Sequence, residues 1–398
     1  MKKLLFAQVV TLALLTACGG GNTQSQTSSE AKPEATNPAS STAAASNTQA
    51  GADLPQTDTL NVYNWSNYMD ESTWEDFKKE YSLKANYDTY ENNEALEAKV
   101  LTGKSGYDLV VPGIAFLPRQ IKAGAYQKVH KDLIPNYKNI DPKLLKLLEQ
   151  VDPGNEYAVP YFSGLNTLAI NKDKVKAALG TDQLPENEWD LVFKPEYTSK
   201  LKSCGISVLD SAAEVFPMAL NYMGKNPQSD KSEDLKAAAE MIMKVRPDIR
   251  RFSSSGYIDD MARGDLCVVL GYGGDLNIAA RRAKEAKSNV NIEVLVPKEG
   301  FGVWVDSFMI PKDSANVTNA YKYINNTLDP KVAAKNGDFV TYAPASKPAR
   351  DLMDKTYSQD LSIFPSDEVK ANSFVVLPKP PEAIKLQTRL WQQLKAGQ

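Results

Sequence analysis

Strand-like and helix-like segments alternate along this chain, and they do so in two separate stretches. Residues 60–65 form a short β-favouring run, and Ser72 or Thr73 is placed to cap a helix in which Trp74, Phe77 and Tyr81 recur at helical spacing. A strand over residues 85–90, a helix over 93–101 and an apolar strand over 108–112 complete a β-α-β-α-β order. Near-continuous apolar strands that alternate with helices predict a parallel sheet covered on both faces.

The alternation returns after Asn166. A strand over 205–210 leads to a helix over 211–223 closed by Gly224, then come a helix over 232–245, a strand over 266–271, a helix over 275–286 and a strand over 290–296. Two α/β units in tandem follow. Residues 158–171 and 301–311 read as extended segments that run from one unit to the other. Two such crossings make a hinge, and ligands of such folds bind in the cleft beneath it.

The N-terminus sets the compartment. Lys2 and Lys3 precede an apolar run over residues 4–15 that ends in Leu15-Thr16-Ala17-Cys18, the layout of a bacterial lipoprotein leader. The run is too short to span a bilayer as a permanent helix. Cleavage before Cys18 removes residues 1–17 and leaves an acylated cysteine tethered to a membrane of the cell envelope, outside the cytoplasm. An ordinary secretory signal is the alternative. Residues 18–57 then comprise the acylated cysteine and a flexible linker of Gly, Ser, Thr, Ala, Gln, Asn and Pro, with too little apolar surface to fold.

The remaining body is long enough for two cores. A formal net charge of -3 argues against nucleic acid and fits a cationic ligand. Two cysteines remain after processing, Cys204 and Cys267; an oxidising compartment and an even count favour a disulfide, with two buried free thiols as the alternative. His130 is the single histidine and lies in a charged run, and the cysteines do not form CxxC, so neither a metal site nor triad chemistry has support. Gly103-Lys104-Ser105 lacks the leading glycine of a phosphate loop, and Gly271 to Asp275 lacks the full GxGxxG spacing.

Aromatics and carboxylates do gather at the C-terminal ends of strands, which form the lip of such a cleft. Trp65-Ser66-Asn67-Tyr68 follows the first strand, Tyr272-Gly273-Gly274-Asp275 follows the strand over 266–271, and Trp304-Val305-Asp306 lies in the second crossing. A primary ammonium on an alkyl chain needs an aromatic face for its methylenes and a carboxylate for its charge.

Tyr63-Asn64-Trp65-Ser66-Asn67-Tyr68, Asp108-Leu109-Val110-Val111-Pro112, Leu201-Lys202-Ser203-Cys204-Gly205, Gly264-Asp265-Leu266-Cys267, Gly273-Gly274-Asp275 and Pro297-Lys298-Glu299-Gly300 resemble the polyamine-binding proteins of bacterial ABC importers. The resemblance implies a two-lobe type II periplasmic-binding-protein fold, each lobe a mainly parallel sheet flanked by helices. Approximate lobes are residues 58–163 with 302–345, and 164–301 with 346–398. It also implies no enzymatic activity, no cofactor, a monomer, an inner-membrane permease as partner, and a Cys204–Cys267 disulfide. Ligand contacts carried over are Trp65, Ser66, Asn67, Tyr68, Glu214, Ser254, Tyr272, Asp275, Trp304, Asp306 and Tyr342.

Four positions bear on the choice between putrescine and spermidine. Asn67 stands where putrescine-selective relatives place an Asp, Ser211 where spermidine-preferring ones tend to have an Asp, Gly113 where many have a Ser, and Tyr272 where a Trp is common. A mixed putrescine/spermidine receptor is the expectation. The alternatives are another small solute in the same fold, and a surface lipoprotein acting in adhesion.

Overall fold

The computed structural model describes Leu54 and residues 57–397; the leader, Cys18 and nearly all of the linker lie outside the described residues. The strands are β1 (Thr59–Trp65), β2 (Lys84–Tyr90), β3 (Leu109–Val110), β4 (Val159–Asn171), β5 (Ile206–Val208), β6 (Ile249–Phe252), β7 (Val268–Tyr272), β8 (Ile292–Val294), β9 (Gly302–Phe308), β10 (Ala343–Pro344) and β11 (Phe374–Val375). They form two sheets. The first is three-stranded in the order β2-β1-β3, and the second runs β11-β9-β4-β7-β5-β6, with β8 and β10 also paired to β4.

The first lobe builds on β1, which is parallel to both neighbours. Leu60, Val62 and Asn64 are buried and their neighbours are not, the period of a strand with one face inward. On β2 burial is confined to Tyr90 at its end, because this strand is a sheet edge; a continuous apolar run was expected there, and the edge position explains the difference. The helix Glu71–Tyr81 is capped by Asp70, not by Ser72 or Thr73: Asp70 Oδ1 accepts the Ser72 backbone N–H at 2.8 Å. Its inner face puts Trp74 and Phe77 edge-on against Tyr323.

In the second lobe β5 lies parallel to both β6 and β7, as the alternation predicts. The crossing segments add antiparallel pairing to that core. The first part of β4 pairs with β9 from Val159↔Phe308 to Asn166↔Gly302, and from Asn166 onward β4 pairs with β7. One strand thus leaves the core around Phe162, Phe308 and Ile324 and enters the core around Leu168, Leu270 and Phe216. The two crossings are hydrogen-bonded to each other as antiparallel strands.

Cys204 and Cys267 are joined, with Cα atoms 5.5 Å apart, tying the start of β5 to the start of β7. In the chain-entropy model a loop of this size contributes about 4 kcal/mol. The helix Pro381–Ala396 closes the second core through Trp391, whose Nε1 donates to Asp210 Oδ1 at 3.0 Å. Ala349 and Met353 pack instead on Ala333 and Ala334 of the helix Pro330–Val340. No helix among the described residues is long and apolar enough to cross a membrane.

Candidate functional site

The C-terminal ends of the strands converge on one cavity of about 720 Å³, measured out to its open mouth. β1 delivers Trp65 and the turn Ser66-Asn67-Tyr68, with Asn67 in the left-handed region at φ 55°. β7 ends at Tyr272, and the helix Gly273–Glu285 begins at once, so Asp275 sits in its first turn. Trp304 and Asp306 lie two residues apart on β9 and so share a face. Glu214 occupies the first turn of the helix Ala212–Tyr222, Ser254 follows β6, and Tyr342 precedes β10. All eleven residues singled out in the sequence line this one cavity.

Three of its carboxylates are held by neutral donors. Asp306 accepts the Tyr68 hydroxyl at 2.7 Å, and Tyr68 is itself fixed by the Tyr161 hydroxyl, which donates to its carbonyl at 2.8 Å. Asp275 accepts the hydroxyls of Tyr342 at 2.7 Å and Tyr257 at 2.8 Å. Glu214 accepts the side-chain amide of Asn166 on β4. Among the described residues, no Lys, Arg or His lines the cavity. Burial therefore acts with little opposition: it lifts Asp306 to about 8, Glu214 to about 7 and Asp275 to about 6. The Tyr68, Asn166, Tyr342 and Tyr257 hydrogen bonds pull the other way, while Glu214 and Asp275 add to the rise at Asp306.

Aromatic rings form the walls between these acids. Tyr272 stands edge-on to Trp304 at 5.9 Å, Trp304 to Tyr342 at 5.0 Å, Tyr342 to Tyr68 at 5.7 Å, and Trp65 to Tyr272 at 6.5 Å. Two glycines permit this. A Cβ on Gly164 would stand 2.3 Å from the Trp304 ring, and one on Gly274 would stand 2.5 Å from the Tyr342 ring. Gly274 thus serves ring contact inside the first turn of a helix.

Comparison with known proteins places this architecture. Residues 72–365 match the family described as bacterial extracellular solute-binding protein. The chain belongs to that family. Over 338 residues it is 46% identical to the putrescine-binding periplasmic protein of Pseudomonas aeruginosa, covering 85% of this chain and 92% of that one. The putrescine-binding periplasmic protein of Escherichia coli is 44% identical over 340 residues, with the same coverage. Among solved structures, a spermidine/putrescine transporter protein of Listeria monocytogenes superposes with a TM-score of 0.76 at 28% identity, covering 86% of this chain and 100% of that one.

The solute-binding protein also places residues in the cavity that strand-end reading passed over. Tyr90 ends β2, Glu91 follows it and Ser255 lies beyond β6, so the rule that found Trp65 and Tyr272 applies to them equally. Asn93 and Gly113 have a subtler signal. Asn93 Oδ1 accepts the Gly113 N–H at 2.9 Å, and a Cβ on Gly113 would meet Asn93 Nδ2 and Asp306 Oδ1 at 3.2 Å each, so the missing side chain at this position leaves room beside Asp306. His130 is exposed and is not among the residues that line the cavity.

Proposed function

We propose that this protein captures linear polyamines, putrescine and spermidine, in the interlobe cleft and delivers them to an ABC importer. The observation that carries this reading is a trio of carboxylates, Asp306 and Glu214 buried and Asp275 half-buried, separated by aromatic walls and with no cationic side chain among the described lining residues. Three acids desolvated in one cavity repel one another, and a ligand with ammonium groups at the ends of a methylene chain relieves that repulsion while its methylenes cover the rings. Asp275, Asp306 and Glu214 are the ammonium partners in this assignment, Trp65, Tyr272, Trp304 and Tyr342 the walls, and Ser66, Asn67, Tyr68 and Ser254 the polar remainder. The names of the relatives, which bind putrescine or spermidine and putrescine, point the same way.

The protein works outside the cytoplasm, as a monomer held to a membrane of the envelope by acylated Cys18, and serves an inner-membrane permease. Calorimetric titration of the protein lacking residues 1–17 with putrescine, cadaverine, spermidine and spermine tests the reading. One-to-one binding of at least one amine is the expected result; no heat and no thermal shift with any of them would retire it. Mass spectrometry of the membrane-extracted protein, read for acyl chains on Cys18, tests the anchor.

A further inference from the structure

Arg282 is a cation in contact with a residue of the cavity wall. Arg282 lies on the helix Gly273–Glu285, seven residues and so about 10 Å beyond Asp275 on nearly the same face. From the second lobe its Nη2 donates to Asn67 Oδ1 at 3.4 Å, on the first-lobe turn that lines the cavity. Its Nη1 is held at 2.6 Å by Asp259, which stands outside the cavity, and its charge draws the Asp275 carboxyl downward. A second contact between lining residues is uncharged on the second-lobe side: Ser255 Oγ donates to Glu91 Oε2 at 2.6 Å. Two lining residues of the first lobe thus meet second-lobe partners of different character, Glu91 a neutral hydroxyl and Asn67 a guanidinium.

We propose that Arg282 is a specificity-determining residue, which closes the Asn67 end of the cleft with a positive charge and so disfavours ligands that carry a third ammonium to that end. The inference rests on the polyamine reading above. A diamine held at the buried carboxylates leaves this end to the Arg282–Asn67 contact. A longer triamine that extends to it finds an amide and a guanidinium where a carboxylate would have received it, and it must either displace Arg282 or place two cations side by side. Asp259 tempers the repulsion without removing it, since it holds only one edge of the guanidinium. The Arg282 side chain is about one-third exposed, so the effect is moderate and screened by salt.

The test is the ratio of spermidine to putrescine affinity, measured by calorimetry at low and high salt. Arg282→Gln should shift that ratio toward spermidine by about threefold or more, with the gain shrinking as salt is added. Arg282→Lys keeps the charge and should keep most of the preference. Asp259→Asn unmasks the guanidinium and should move the ratio the opposite way. Unfolding midpoints within a few degrees of the parent establish that the variants are folded. A ratio unchanged in Arg282→Gln, or equal loss of both amines, overturns the proposal and leaves Arg282 as a closing contact without selectivity. A parent protein that binds neither amine removes the polyamine reading itself, and that is visible before any variant is compared.

Discussion

The Tyr342 hydroxyl donates to Asp275 Oδ1 at 2.7 Å and accepts the backbone N–H of the same Asp275 at 3.1 Å. These residues are 67 apart in the chain, one at the start of a second-lobe helix and the other beside the hinge strands. The ring of contacts orients the carboxylate toward the cavity and couples its position to the hinge.

Asp275→Asn and Asp306→Asn should each weaken polyamine binding by about 2–4 kcal/mol, because a desolvated ammonium loses its counter-charge. Calorimetry on the two single variants and the double variant measures this. Affinity equal to the parent in the double variant would show that the ammonium groups sit elsewhere.

Binding should release protons near neutral pH. Asp306 at about 8, Glu214 at about 7 and Asp275 at about 6 are partly protonated in the empty cleft, and a cationic ligand favours their ionised forms. Affinity should rise from pH 6 to pH 8, and the apparent enthalpy should vary with the ionisation heat of the buffer. Identical enthalpies in phosphate and Tris would contradict the coupling.

The same groups predict the pH dependence of the ligand-free fold. Their folded pKa values lie above their ordinary values of 3.8 to 4.5, so the folded protein binds more protons than the unfolded chain between about pH 4 and 8. The contribution of these three carboxyls to stability is therefore present at the acid end and is lost as pH rises through 6, 7 and 8. Urea midpoints compared between the parent and an Asp306→Asn variant isolate it: the variant should lose less stability over that range.

Gly164→Ala should disturb the cleft from behind. Its Cβ would press on the Trp304 ring at 2.3 Å, at a cost of about 1–3 kcal/mol in stability, with a displaced wall and weaker binding. Thermal unfolding and ligand titration of this variant check both effects together.

Replacing both Cys204 and Cys267 by Ser should lower stability by about 2–5 kcal/mol while leaving ligand affinity close to the parent. The disulfide ties the beginnings of β5 and β7, whereas Tyr272 meets the cavity from the far end of β7. A large loss of affinity at saturating stability would show that the bridge also positions the cleft.

What the residues alone determined is whatever has a local period or a local composition. Alternating strand and helix segments, the two crossings, and the aromatic and acidic residues at strand ends are all written over spans of a few residues, where side-chain period reports burial directly. The tertiary structure decided whatever joins distant segments. Asp70 caps the first helix instead of Ser72 or Thr73, and it is also bound through its N–H to Asn336 Oδ1 at 2.9 Å, a partner 266 residues away. The antiparallel pairing of β4 with both β9 and β7, the Tyr257 hydroxyl beneath Asp275, and the reach of Arg282 to Asn67 across 215 residues have no signature in either segment by itself. Each depends on which surfaces the fold presses together. A carboxylate becomes a reluctant acid once burial takes its water away, and an arginine comes to edge a binding site only through the contact the fold gives it.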